Sequence, residues 1–135
     1  MIEIKLNLLR SQEFSNAYQK LMRTEGLAPK VAYHIARVGA ILETEQKAAN
    51  IAFDALVKKW ADFKNENGQT QWKIPDEKLE GWNAATKDFH DAVATIDKRK
   101  LLLSDLGAAS LTPSEFLALE PVLGDLELLN GAEGV

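Results

Sequence analysis

The sequence predicts a mainly α protein: a long antiparallel helical hairpin carrying a small two-stranded β ribbon and two short helices. Three observations lead there. Apolar residues step by three and four from about 29 to 67, and again from 79 to 96, which sets an apolar stripe along each of two helices. Residues 2–8 alternate apolar and polar, the period of a half-buried strand. A compact Leu101-Leu102-Leu103 run offers that strand its partner.

Taken in order, Ile2, Ile4, Leu6 and Leu8 face one way, with Glu3, Lys5 and Asn7 between them. Ser11 suits an N-cap, and Phe14, Ala17, Tyr18, Leu21 and Met22 follow on one helical face until Thr24-Glu25-Gly26. The long helix then runs from Pro29, whose missing N–H costs nothing in a first turn, to a stop at Asn67-Gly68. Its stripe comprises Val31, Ile35, Val38, Leu42, Ala49, Ala52, Phe53, Leu56, Trp60 and Phe63. At about 1.5 Å per residue it would span roughly 55–60 Å, and a stripe of that length needs a partner.

Residues 71–75 read as extended, because a residue before Pro75 is pushed out of the helical region. Asp76 is the expected cap of the second helix, which carries Leu79, Trp82, Ala85, Phe89, Ala92, Val93 and Ile96 and ends near Lys98-Arg99-Lys100. Folded back on the first, it brings Phe53, Trp60 and Phe63 towards Trp72, Trp82 and Phe89. The clearest local code is Leu111-Thr112-Pro113-Ser114-Glu115-Phe116. It combines an N-cap, a first-turn proline, a capping box and a hydrophobic staple, and starts a helix that runs to about Leu119. Residues 1–123 thus form one helical-hairpin domain, and 124–135 an acidic, leucine-containing tail.

Charge and composition narrow the function classes. Net charge is −4. Residues 111–135 hold five acids and no base, which leaves +1 for residues 1–110. A balanced body argues against a dedicated nucleic-acid binder, which shows a basic excess on one face. No cysteine is present, so a disulfide framework and a thiolate metal site are both excluded. The opening residues lack the basic start and apolar run of a signal peptide, and no stretch approaches the ~20 apolar residues of a membrane span. The expected location is cytoplasmic, with no membrane partner.

No catalytic constellation emerges. The two histidines, His34 and His90, lack the His-Glu-x-x-His spacing of a zinc helix. Gly39, Gly68, Gly81 and Gly107 are isolated, so no phosphate loop exists, and pairing any two carboxylates would be arbitrary. The expectation is a protein that is not an enzyme, with no cofactor and no metal site. Trp60, Trp72 and Trp82 bracket the polar connection; they suit a core cluster. Trp72 and Lys73, set among Gln69, Thr70 and Gln71, are the candidate partner contacts, together with Leu126, Leu128 and Leu129 in the tail. Lys58, Lys59 and Lys64, with Lys98, Arg99 and Lys100, form two separate basic clusters. They read first as solvated helix faces, and in an alternative nucleic-acid-associated protein as phosphate contacts.

Ile2-Glu3-Ile4-Lys5-Leu6, Ala32-Tyr33-His34-Ile35-Ala36-Arg37 and the segment from Leu111 to Pro121, in this order of elements, resemble a family of small bacteriophage proteins of unknown function. The resemblance covers most of the chain as a pattern. It implies a viral or prophage origin, hence the cytoplasm of a bacterial host, and assigns no residue a role. The leading expectation is a non-enzymatic protein-interaction module. It would act as a phage assembly or accessory factor, or as an inhibitor of a host protein. Coiled-coil-like self-association into a homo-oligomer is a further expectation, since the long helix overhangs the shorter one.

Overall fold

The computed structural model describes residues 1–107 and 109–124. The chain is mainly helical, with two small antiparallel sheets of two strands each. The elements are β1 (Ile2–Lys5), α1 (Leu6–Leu9), α2 (Gln12–Met22), α3 (Pro29–Trp60), β2 (Asp62–Glu66), β3 (Gln69–Lys73), α4 (Leu79–Asp91), β4 (Val93–Ile96) and α5 (Pro113–Leu119). Single 3-10 turns cover Asp76–Lys78, Leu103–Leu106 and Glu120–Val122.

The first strand ends at Lys5 rather than at Leu8. Leu8 and Leu9 are both apolar, which breaks the alternation, and Leu6–Leu9 coil into one helical turn that buries Leu9. Ser11 caps α2 as expected, its hydroxyl accepting the Phe14 N–H, and Phe14, Ala17, Tyr18 and Leu21 are buried beneath it. α3 starts at Pro29 but stops at Trp60, seven residues short of the expected end. Its 32 residues span roughly 48 Å. Asn67-Gly68 is therefore not a helix stop but the turn between β2 and β3, and Phe63 leaves the helical stripe.

The second helix is also shorter than expected. Asp76 opens a 3-10 turn without a side-chain cap, and α4 ends at Asp91 rather than near Lys98–Lys100. Val93–Ile96 is a strand, and it takes the place expected for 101–103 as the partner of β1, with Ile2 opposite Ile96 and Lys5 opposite Val93. Leu101 instead makes a lone parallel bridge to Leu123. α5 carries the full capping box: Thr112 accepts the Glu115 N–H and Glu115 accepts the Thr112 N–H. Glu115 also meets Lys20 at 2.8 Å, which ties α5 to α2.

α3 is covered in two halves by different means. Its first half lays Ile35, Val38 and Leu42 on the main core, with Ile2, Ile4, Phe14, Leu21, Ile96, Leu119 and Val122. Tyr18 locks this side, its hydroxyl donating to the Ile35 carbonyl at 2.6 Å. The second half packs on α4 through aromatic rings. Phe53 lies against Trp82, Phe89 and His90, and Trp60 lies against Gly81, so the two helices run antiparallel as expected. Arg10 closes this second cluster from below. Its guanidinium sits 4.0 Å from the Phe53 ring centre and its Nε donates to Asn50 at 2.9 Å. Burial there lowers its pKa, partly offset by Asp54. No helix among the described residues is long and apolar enough to cross a membrane.

Candidate interaction surface

The C-terminal cap of α3, Ala61, is already extended, so β2 leaves the helix without an intervening loop. Asn67 and Gly68 then hold φ of 53° and 77°. Two successive positive φ values define the tight turn that matches strand twist, and Asn-Gly is the pair that best tolerates them. The turn sets the register: Glu66 opposite Gln69, Asn65 opposite Thr70, Lys64 opposite Gln71, Phe63 opposite Trp72 and Asp62 opposite Lys73. Counting from the turn, Phe63 and Trp72 form a non-hydrogen-bonded pair, where side chains approach most closely.

Alternation divides the hairpin into two faces. One carries Phe63, Asn65, Thr70 and Trp72, with the Thr70 hydroxyl donating to Asn65 at 2.8 Å. The other carries Asp62, Lys64, Glu66, Gln69, Gln71 and Lys73. All ten strand residues are exposed, on both faces. Phe63 and Trp72 are 48% and 47% exposed, unusual for rings of this size. Trp72 is anchored on one side by Trp82 of α4, ring centres 5.7 Å apart. Among the described residues neither strand pairs with a third, so the outward N–H and C=O groups of Phe63 and Asn65, and of Thr70 and Trp72, face solvent. A recess of about 230 Å³ beside the polar face is bounded by Asp62, Lys64, Lys73, Pro75, Asp76 and Glu77. Its mixed charge does not favour a polyanion.

The structure thus places Trp72 and Lys73 on adjacent, opposite-facing positions of one projecting arm. Leu126, Leu128 and Leu129 lie outside the described residues. Phe63 was missed as a surface residue because its spacing continues the helical stripe; the Asn-Gly pair four residues on was the signal that could have found it.

The basic clusters stand apart. Lys58 and Lys59 end α3, and Lys64 follows on β2. Arg99 lies at the other end, where its carbonyl accepts a hydrogen bond from His34 Nε2 at 2.9 Å. Residues 34 and 58 are separated by roughly 36 Å of helix. No single phosphate track joins them directly.

The histidines are held in structural contacts, His34 by that hydrogen bond and His90 by stacking on Phe53. Among the described residues no three His, Asp or Glu side chains gather as a metal site. A groove of about 440 Å³ runs between α2 and α3 past Phe14, Tyr18, Met22, Gly39, Ala40 and Glu43. On its rim Gln46 is engaged in holding the helices, donating to the Leu9 carbonyl and to the Ser15 hydroxyl. Comparison with protein-family models, curated proteins and solved structures gives no significant match.

Proposed function

We propose that the protein is a non-enzymatic interaction module that engages a protein partner through the β2–β3 arm. The observation that carries this reading is the paired, half-exposed Phe63 and Trp72 on a hairpin whose every strand residue is exposed. An isolated two-stranded hairpin is marginal in water. Two large rings held at its surface gain free energy when a partner covers them, and aromatic side chains of this kind dominate binding hot spots. Lys73 and Asp62 beside the pair supply the polar rim that sets orientation. The role is that of an assembly or accessory factor, or of an inhibitor that occupies a host protein. Phage origin rests on the resemblance of the sequence.

The test is site-specific photo-crosslinking in extract of the native cell. A photoreactive residue replaces Trp72 in one variant and Ile51, an exposed site on α3, in another. Adducts to a discrete protein from position 72 and not from position 51 support the arm. Adducts from position 51 alone overturn it.

A further inference from the structure

We infer that the partner of the β2–β3 arm is a second copy of this chain, which lays its own β2 antiparallel to this one and completes a four-stranded sheet. The inference rests on the reading of the arm as an interaction surface and names what covers it. Among the described residues no third strand meets the hairpin, so the outward N–H and C=O groups of Phe63 and Asn65 form an open edge. A two-stranded ribbon is marginal by itself, and an open edge is a template for a further strand. Two copies of one edge meet about a two-fold axis, which closes the contact at two chains.

Charge selects this edge and its register. On one face β2 carries Asp62, Lys64 and Glu66, acid, base and acid in turn. Opposite residues of an antiparallel pair share a face, so registers that match at least three residues of each β2 put the axis at Phe63, Lys64 or Asn65. An axis at Lys64 sets Lys64 against Lys64 and Asp62 against Glu66, all like charges, which opposes pairing. An axis at Asn65 matches Lys64 with Glu66 but puts Phe63 opposite Asn67, whose φ of 53° belongs to the turn. An axis at Phe63 sets Asp62 of each copy against Lys64 of the other, a favourable pair on either side of the axis. The end of α3 stops the ladder there, because the Ala61 N–H is already given to the Val57 carbonyl at 2.8 Å. The β3 edge offers no such match: Gln69, Gln71 and Lys73 include no acid.

In this register Phe63 lies opposite Phe63 of the second copy, and the two exchange both backbone hydrogen bonds with Cα atoms about 5.5 Å apart. Trp72 is already opposite Phe63 within each hairpin. The aromatic face therefore becomes one row across four strands. In it each Phe63 ring, 48% exposed in the single chain, gains an aromatic neighbour on its open side. On the other face Asp62 lies between Lys73 of its own hairpin and Lys64 of the second copy. A lysine on an edge strand ordinarily discourages pairing. Here Asp62, two residues away, turns it into the group that fixes the register.

Sedimentation velocity of the full chain, from micromolar to millimolar concentration, reads the association. The wild type should pass from monomer to dimer. Lys64→Glu sets acid against acid on both sides of the axis and should raise the dimer dissociation constant about 10- to 100-fold, with circular dichroism unchanged. Lys64 faces Gln71 within its own hairpin and belongs to neither ion pair of the described residues, so the single chain loses no charge contact. Asp62→Lys should weaken self-association likewise. An equimolar mixture of the two variants should recover the dimer, since each supplies the charge the other lacks. A wild type that stays monomeric throughout would overturn the proposal, as would a dimer that Lys64→Glu leaves unchanged or a mixture that stays monomeric. Crosslinking at position 72 separates this failure from failure of the arm: a foreign protein captured there by a monomeric chain keeps the arm and removes the second copy.

Discussion

Removing one oxygen, in Tyr18→Phe, isolates a buried hydrogen bond from the packing around it. Tyr18 is 5% exposed and its hydroxyl donates to the Ile35 carbonyl at 2.6 Å. Its ring stacks near Phe14, with centres 6.2 Å apart, and phenylalanine keeps that contact. The Ile35 carbonyl also lies within the hydrogen-bond ladder of α3, so loss of the hydroxyl leaves it a partner. The cost at pH 7 is then the net value of one hydrogen bond, about 1 kcal/mol, or roughly 3–5 °C in Tm for a chain of this size. Alkaline pH reverses the comparison. Burial raises the Tyr18 pKa well above its ordinary value of 10. The folded state thus favours the neutral hydroxyl. Its contribution is complete below pH 10, the unfolded value, and falls as pH rises from there towards the folded pKa. At pH 11 the wild type loses about 1.4 kcal/mol through this group, and Tyr18→Phe loses none of it. Urea unfolding followed by circular dichroism at pH 7 and pH 11 should show the wild type the more stable at the first and level with or below the variant at the second. Other titrating groups act on both proteins alike and cancel. An identical stability gap at the two pH values would refute the buried hydroxyl.

Three further outcomes follow from the packing. Gly81→Ala should destabilise despite its better helix propensity, because the added Cβ would fall 2.5 Å from Cη2 of Trp60. Overpacking costs about 1–3 kcal/mol against the roughly 1 kcal/mol gained, and a shifted tryptophan emission in the folded state would report the displaced ring. Arg10→Ala should cost about 1–3 kcal/mol through the lost Phe53 contact and the Asn50 hydrogen bond, and Arg10→Lys should recover only part, since it lacks the planar group; chemical denaturation measures both. Glu115 is held below the usual carboxylate range first by Lys20 and then by the Thr112 N–H. Its stabilising effect is therefore present above the unfolded carboxylate pKa and lost as pH falls through the folded one, so the Tm difference between wild type and Glu115→Gln should shrink on acidification below about pH 4.

The parts of the fold legible in the sequence are those where burial imposes a period or a cap imposes a local code. α2, the first half of α3 and α5 follow their apolar spacing, and Ser11 and Thr112–Glu115 mark two helix starts with hydrogen bonds that stay within the segment. β4 was hidden because Ala92, Val93 and Ile96 continue the helical spacing of α4. The β-branched run Val93, Thr95, Ile96 was the competing signal, and pairing with β1 decided for it by burying Ala94 and Ile96.

The candidate site was the least legible part, for a related reason. Period two reports a strand only when one face is buried, and both faces of β2 and β3 are wet. Leu56, Trp60 and Phe63 keep the helical spacing across the end of α3, so the apolar pattern runs on where the helix does not. Only Asn67-Gly68 separates the alternatives. A helix end needs one residue at positive φ; a two-residue hairpin needs two in succession, and both residues of this pair supply it. Phe63 and Trp72 meet because of that turn. The same local choice that shortens α3 by seven residues therefore moves Phe63 from an expected core to the surface and creates the aromatic arm on which the proposed function rests.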